Sequence, residues 1–255
     1  MIELKKGDCL ELMKDIEDKS IDMILCDLPY GTTKCKWDTI IDFRLLWRQY
    51  ERIIKDNGAI VLTAQTPFDK VLGCSNLKLL KYEWIWEKSQ GTGHLNAKKM
   101  PLKNHENILI YYKNLPTYNP QMSGEEIRKV KRSGNKSKTT NYGDFIEIPE
   151  SNYKGRYPLT IQKFKKENGL HPTQKPVALF EYLIKTYTNE CDLVLDNCAG
   201  SGTTGVACQN LNRNCILMEK EEEYCNIIEK RLKENKVQKT LLALEWRLYT
   251  KIKWK

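Results

Sequence analysis

Short apolar runs alternate with amphipathic stretches along the first part of the chain. Residues 21–26 and 59–63 are almost continuously apolar, and the segment between them repeats its large apolar residues at helical spacing: Phe43, Leu46, Trp47, Tyr50 and Ile54. This pattern predicts a strand, a helix and a second strand. Asn57 and Gly58 follow, where a left-handed glycine would end the helix. Two further runs, 82–86 and 107–112, predict more strands, so residues 1–112 are typical of an α/β half-domain.

The periodicity fades between residues 113 and 170, where the sequence is basic and rich in turn formers. We interpret this segment as an insert built around a loop. Regular order returns at Pro176, which suits the first turn of a helix carrying Val177, Phe180 and Leu183 on one side.

A strand, a glycine-rich loop, a helix and another strand are then predicted between residues 193 and 219. Gly200, Gly202 and Gly205 lie in the loop, and Glu219 ends the second strand. A charged helix should follow to about residue 236, and residues 240–255 are again basic.

The glycine loop and Glu219 together predict a pocket for an adenosine-type cofactor. Glycine lets the backbone approach a ligand closely, and a carboxylate at the end of the next strand accepts hydrogen bonds from ribose hydroxyls. A nicotinamide dinucleotide and S-adenosylmethionine (SAM) both satisfy this pattern. Because only 50 residues follow Gly205, earlier residues must complete the sheet, which indicates a circularly permuted order with the cofactor half last.

Composition narrows the class of protein. Lys and Arg number 42 against 33 Asp and Glu, a formal charge of +9 that suggests an anionic partner. The 40% hydrophobic content is that of a folded domain, and no apolar run reaches the ~18 residues that a membrane span needs. Nine cysteines occur without a Cys-x-x-Cys pair, so we expect reduced thiols, a cytoplasmic protein and no metal site.

The run Asp27-Leu28-Pro29-Tyr30 follows the first apolar strand, at the sheet edge where α/β proteins bind ligands. Two other runs stand out: His171-Pro172-Thr173-Gln174-Lys175-Pro176, and Asp196-Asn197-Cys198-Ala199-Gly200-Ser201-Gly202-Thr203-Thr204. With these three motifs in this order, and Gly7-Asp8-Cys9 near the start, the chain resembles the β-arrangement DNA amino-methyltransferases, the N6-adenine/N4-cytosine family.

This resemblance implies an α/β fold, a circularly permuted Rossmann-like SAM-dependent methyltransferase domain with a mostly parallel sheet and helices on both faces. The catalytic domain would be discontinuous, comprising residues 1–112 and 171–255. Residues 113–170 would form a basic target-recognition insert. Two departures from the family pattern occur: Leu28 replaces the usual first proline of the catalytic motif, and Asn197-Cys198 replace Pro-Phe.

The resemblance also implies residue roles. Asp27, Leu28, Pro29 and Tyr30 would be catalytic. The cofactor would be SAM, its adenine facing Asp8 and Cys9, its ribose Glu219, and its amino-acid end His171, Thr173 and Lys175. The loop residues Asp196, Ala199, Gly200, Ser201, Gly202 and Thr203 would surround its methionine part. Within the insert, DNA contacts would come from Lys129, Lys131, Arg132, Lys136 and Lys138.

The chemistry of the catalytic motif can be followed from the residues. The exocyclic amino nitrogen of a base is a poor nucleophile because its lone pair is delocalised into the ring. If the Asp27 carboxylate and the Leu28 carbonyl hold its two hydrogens, that lone pair is freed to attack the methyl group. The base must first be flipped out of the duplex, and Tyr30 would stack on it. Because the sequence contains no Pro-Cys dipeptide, a C5-cytosine mechanism is disfavoured.

We therefore predict a site-specific SAM-dependent DNA methyltransferase acting on N6 of adenine in double-stranded DNA, since aspartate opens the motif. The alternatives are N4-cytosine methylation, a nicotinamide oxidoreductase using the Gly200–Gly205 loop, and a non-catalytic DNA-binding module. No membrane partner is expected, and the protein would act in the cytoplasm of a prokaryotic or phage-infected cell. A homodimer and a companion restriction endonuclease are left open.

Overall fold

The computed structural model describes residues 1–33, 35–132, 148–167, 169 and 174–253. It divides into two compact units, one comprising Met1–Asn119 and Thr160–Lys255, the other Pro120–Leu159. The strands are β1 (Ile2–Lys6), β2 (Ile21–Cys26), β3 (Ile54–Ala64), β4 (Leu80–Thr92), β5 (Lys103–Tyr111), β6 (Ser123–Arg132), β7 (Ile148–Arg156), β8 (Ile161–Phe164), β9 (Leu193–Asp196) and β10 (Asn214–Glu219). The α-helices are α1 (Cys9–Leu12), α2 (Phe43–Ile53), α3 (Phe68–Ser75), α4 (Val177–Tyr187), α5 (Thr203–Asn210) and α6 (Glu222–Lys253).

The first unit is built on a mostly parallel sheet with the strand order β1-β10-β9-β2-β3-β5-β4-β8. Within this sheet as described, β5 is the strand that runs antiparallel to its neighbours, β3 and β4. The strands β2 and β9 are adjacent, with Met23 opposite Val194 and Ile24 opposite Leu195. The last part of the chain thus completes the sheet begun by the first, which confirms the predicted circularly permuted α/β fold.

Helices cover both faces of this sheet, as predicted. Alternate β2 residues point to opposite sides, so that Ile24 and Cys26 join one buried cluster while Met23 and Leu25 join the other. The first cluster is closed by α2 and α3, and the second by α4, α5 and the start of α6. Nearly every position of β2 is therefore buried, which explains its continuous apolar sequence.

The strand order reverses between β9 and β2. From β9 the chain proceeds through α5 to β10 on one side, whereas from β2 it proceeds through α2 to β3 on the other. The carboxyl ends of the two strands therefore border a crevice. In an open α/β sheet this is where ligands bind.

Two predicted element ends are wrong. The helix α2 stops at Ile53 and β3 begins at Ile54, so Gly58 lies within the strand rather than at a helix stop. A Cβ there would come within 2.7 Å of Ile54 Cδ1 and 2.8 Å of the Asp22 carbonyl oxygen, so glycine is needed for close packing. The last helix does not end near residue 236, because α6 continues to Lys253.

The second unit, Pro120–Leu159, covers fewer residues than the insert predicted for residues 113–170. The Asn119 amide donates to the Thr186 carbonyl oxygen at 2.7 Å, which ties the segment before Pro120 to α4. After residue 159, β8 pairs with β4 in the main sheet. The second unit itself contains the antiparallel pair β6 and β7. None of the described helices is both long and apolar enough to span a membrane.

Candidate active site

A cavity of about 360 Å³ lies at the reversal point of the sheet, within the volume range of small-molecule sites. The catalytic and glycine-loop motifs, which are separated by almost 170 residues of sequence, both line it. It brings together these predicted site residues: Asp8, Cys9, Asp27, Leu28, Pro29, Tyr30, Lys175, Asp196, Ala199, Gly200, Ser201, Thr203 and Glu219. The topology thus joins the two halves that the sequence predicted to cooperate.

Asp27 follows β2 and accepts hydrogen bonds from three side chains. Its Oδ1 accepts from the Tyr30 hydroxyl at 2.6 Å and from the Thr63 hydroxyl. Its Oδ2 accepts from Lys175 Nζ at 2.5 Å. A carboxylate has about four acceptor positions, so one position on Oδ2 remains for a further donor.

Lys175 belongs to a buried chain of four alternating charges. Its Nζ also lies 3.3 Å from Glu106 Oε2, and Glu106 Oε1 accepts from Lys88 Nζ at 2.5 Å. The side chains of Lys175, Lys88 and Glu106 are 5%, 7% and 9% exposed. Burial lowers the pKa of Lys175, but Asp27 and Glu106 outweigh that effect and raise it above its usual value. Both lysine charges are therefore neutralised by carboxylates.

The Tyr30 ring is fixed on one face. It stacks on Phe68 with ring centroids 4.9 Å apart and an interplanar angle of 25°. Burial raises the pKa of the Tyr30 hydroxyl well above its usual value, and the neighbouring Asp27 adds to this effect. The hydroxyl consequently stays protonated as a donor to Asp27.

The cofactor side of the cavity is organised by Glu219 at the end of β10. Its Oε2 accepts from the Gly200 amide at 2.8 Å, and its Oε1 accepts from the Lys220 and Glu221 amides at 2.8 and 2.9 Å. Burial raises the pKa of Glu219, although these amides oppose the shift. Glu219 therefore holds the glycine loop, keeps one acceptor position on Oε2 and lines the cavity.

Asp196 and Gly202 stabilise the conformation of the glycine loop. Asp196 accepts from the Cys198 amide at 3.1 Å and from the Thr204 hydroxyl, and burial raises its pKa to about 7. Gly202 has a left-handed φ of 76° at the start of α5, and a Cβ there would lie 3.0 Å from Ile228 Cγ1. Gly202 was predicted to contact the cofactor, but it is not among the residues that line the cavity; its position supports the loop instead.

Lys175 was expected at the amino-acid end of the cofactor, whereas its ammonium group contacts Asp27. Cys26 is fully buried, and desolvation raises the pKa of its thiol to about 12, which removes any role as a nucleophile. Lys129 is exposed on β6, where Lys131 and Arg132 also lie. His171, Thr173, Lys136 and Lys138 lie outside the described residues.

Sequence reasoning missed Thr63, Lys88 and Glu106. A signal for the last two was present, because Lys88 follows an apolar, Trp-rich strand and Glu106 precedes one. Charged residues bordering buried strands at the ligand-binding edge are candidates for a site. Over the described ranges, no group of three or more His, Cys, Asp or Glu residues is arranged to hold a metal ion.

Comparison with known proteins decides the family. A family model described as a DNA methylase, of the N6 and N4 amino-methyltransferase class, matches residues 21–230. The chain belongs to this DNA methylase family. The DNA adenine methyltransferase YhdJ of Escherichia coli strain K12 is 30% identical over 89% of this chain and 81% of its own length. Type II methyltransferase M2.MboI of Moraxella bovis is 28% identical over 90% of this chain and 86% of its own length.

Solved structures of methyltransferases share the fold. The M1.HpyAVI–SAM complex superposes with a TM-score of 0.62 at 28% identity, covering 91% of this chain and 100% of that one. The cytosine-N4-specific PvuII DNA methyltransferase gives 0.64 at 16% identity, covering 92% of this chain and 90% of that one, and at this identity it supports the fold alone.

The DNA methylase uses SAM as its cofactor, in agreement with the family and with the M1.HpyAVI complex. The residues present fit this molecule, because the cavity has a suitable volume, a glycine loop on one wall and a buried carboxylate at the position suited to ribose. The same features were compatible with a nicotinamide dinucleotide when only the sequence was considered. Family membership removes that alternative.

Proposed function

We propose that this DNA methylase transfers a methyl group to N6 of adenine, with Asp27 and the Leu28 carbonyl as the groups that hold the amino nitrogen. The observation that carries the proposal is the position of Asp27, which has an unused acceptor position on Oδ2 and lines the same cavity as the glycine loop. Adenine is favoured over cytosine because aspartate opens the motif and because the relative YhdJ is named a DNA adenine methyltransferase.

The residues act by orientation and charge. The Asp27 carboxylate and the Leu28 carbonyl accept the two amino hydrogens, so that the nitrogen lone pair leaves the plane of the base. Lys175 Nζ pairs with the Asp27 carboxylate at 2.5 Å, and this carboxylate also stabilises the positive charge that develops on the amino nitrogen. When bound, SAM would supply the methyl group as its carbon–sulfur bond breaks, and the proton displaced from the amino nitrogen would leave along its hydrogen bond to Asp27. No covalent enzyme intermediate is needed.

The base reaches this cavity by leaving the duplex, since its amino group lies inside the stacked helix. Phe68 stacks on one face of the Tyr30 ring, and Lys175 Nζ lies 5.5 Å from the ring centroid. In this proposal the flipped base stacks on the part of the ring that lines the cavity. Such a contact contributes ~1 to 3 kcal/mol in single-strand binders. This contribution offsets part of the cost of flipping.

The second unit supplies DNA contacts in this proposal. Lys129 is exposed on β6, and basic residues continue in the sequence after it. Phosphate contacts would position the duplex without themselves reading its sequence. Lys129→Ala should reduce the log-log salt slope of DNA binding by about 0.9 if the residue contacts one phosphate. An unchanged slope would remove Lys129 from the interface.

The product of the reaction tests the proposal directly. DNA from cells expressing the chain is hydrolysed to nucleosides, and modified bases are identified by mass spectrometry, with an Asp27→Ala strain as the control. We expect N6-methyladenine in the first sample and its absence from the second. N4-methylcytosine alone would show that the substrate has been assigned to the wrong base.

A further inference from the structure

We infer that Glu106 and Lys88 are positioning residues for methyl transfer: through Lys175 they hold the Asp27 carboxylate in the orientation that accepts the amino group. This inference rests on the proposed role of Asp27. The two residues come from the adjacent strands β4 and β5, whose ladder pairs Trp86 with Glu106. Neither residue is among those that line the cavity, so any effect on the reaction must pass through Lys175.

The geometry separates the tasks of the four groups. Lys175 donates its short hydrogen bond to Asp27 at 2.5 Å, whereas Glu106 Oε2 lies 3.3 Å from the same nitrogen. This Oε2 atom is buried and makes no aligned hydrogen bond to any described residue. Glu106 therefore neutralises the Lys175 ammonium by its charge, while the well-aligned hydrogen bond of Lys175 is donated to Asp27.

Burial makes this arrangement necessary. An ammonium group removed from water loses its proton readily unless carboxylates compensate for the lost hydration. Lys175 faces Asp27 at the end of β2, Glu106 on β5 and the Tyr30 ring, whose centroid lies 5.5 Å from Nζ. Asp27 must also interact with the substrate. Glu106 is the carboxylate that can compensate Lys175 throughout the reaction.

Lys88 is the last member of the row of four charges and determines the net charge of that row. Its Nζ contacts Glu106 Oε1 at 2.5 Å. Two positive and two negative groups then alternate from Lys88 to Asp27, so the cluster is neutral as a whole. Removing Glu106 leaves an excess positive charge next to Lys175, whereas removing Lys88 has the opposite effect. The two substitutions should therefore shift the protonation of Lys175 in opposite directions.

The test is the pH dependence of single-turnover methyl transfer at saturating SAM and DNA. In Glu106→Gln we expect the rate constant at neutral pH to fall about 10- to 100-fold, because Asp27 is less well positioned. The rate constant should also fall at alkaline pH as Lys175 loses its proton. In Glu106→Gln we expect this alkaline limb of the pH–rate profile to lie about 1 to 3 pH units below that of the unaltered enzyme, since an opposite charge next to Lys175 has been lost. Adding Lys88→Met to this variant should move the limb back toward higher pH.

A merely structural role predicts a different result. If Glu106 and Lys88 only support packing, the double variant should be at least as impaired as Glu106→Gln, and neither should move the alkaline limb. Unshifted limbs in both would overturn the inference. Glu87→Gln is the matched control, because Glu87 lies on β4 beside Lys88 and pairs with Lys163 at 3.3 Å on the surface. Its profile should match that of the unaltered chain.

The same set of variants also tests whether each protein folds and whether Asp27 has the proposed role in methyl transfer. Thermal unfolding and SAM binding by calorimetry show whether each variant is folded. If Glu106→Gln does not fold, the charge-balanced double variant carries the test, and its limb should still lie below that of the unaltered enzyme because Glu106 is the direct neighbour of Lys175. A fully active Asp27→Asn variant would refute the proposed function itself. An inactive Asp27→Asn variant with unshifted limbs would refute only the positioning role.

Discussion

The two ends of the cavity reach their geometry by different means. At the catalytic end, after β2, the reactive carboxylate is held by side chains and by the buried charges of Lys175, Glu106 and Lys88. At the cofactor end, after β9 and β10, Asp196 and Glu219 are held mainly by backbone amides and a hydroxyl. Buried charges hold the geometry of the catalytic end, and the shape of the loop holds that of the cofactor end. Substitutions at the first should therefore affect methyl transfer, and substitutions at the second cofactor binding.

The largest effect is expected at the catalytic end. Asp27→Ala removes the acceptor for the amino group, and we expect methyl transfer to fall by at least about 100-fold, the scale of losing one transition-state hydrogen bond. DNA and SAM binding should largely survive, because the cofactor loop is held independently. Labelled methyl transfer and binding measurements on the same preparation check this. Near-normal turnover would remove Asp27 from the mechanism.

A pH effect on stability is expected from Asp196 at the other end. Burial raises its pKa from 3.8 to about 7, so the folded chain holds the proton more tightly than the unfolded chain. The resulting stability is fully present below pH ~4 and is lost as the pH rises through about 7. Between pH 5 and 8 the unaltered chain should lose roughly 2 to 3 kcal/mol relative to Asp196→Asn, which cannot titrate there. Urea unfolding at the two pH values measures the difference, and equal changes in both proteins would contradict it.

Glu219→Ala should weaken cofactor binding rather than chemistry. The substitution leaves the amides of Gly200, Lys220 and Glu221 without their acceptor. Losing such partners costs about 1 to 3 kcal/mol, and we expect the dissociation constant of SAM to rise about 10- to 100-fold. The rate constant at saturating SAM should change much less. Calorimetry with SAM gives the answer, and an unchanged dissociation constant would reject the role of Glu219.

The smallest effect is expected for Gly202→Ala. The residue has a φ of 76°, and the added Cβ would meet Ile228 Cγ1 at 3.0 Å. The left-handed conformation alone costs about 1 to 2 kcal/mol for a residue with a side chain. Gly93→Ala is the matched control, because Gly93 has a φ of 91° but no atom within 4 Å of its Cβ position. A larger loss of stability in Gly202→Ala would measure the packing contribution, and equal losses would show that Ile228 simply moves aside.

Much of this arrangement could be predicted from the chain itself. The continuous apolar runs of β2 and β9 show strands buried on both faces, and the glycine loop with Glu219 identifies the cofactor wall. These features depend on local sequence and on residues close in the chain. The order of the two motifs, with the catalytic motif before the glycine loop, also indicated the permuted topology.

The sequence could not show which charged side chains form ion pairs with one another. Lys88, Glu106 and Lys175 are contributed by β4, β5 and the segment before α4, and only the sheet order brings them to Asp27. The sequence alone determined the fold class, the cofactor class and the residue types of the reaction, because hydrophobic periodicity and glycine conformation are local properties. Tertiary structure decided the partners of each charge, because a buried ion can be stable only beside an opposite charge, and that neighbour is chosen in space rather than along the chain.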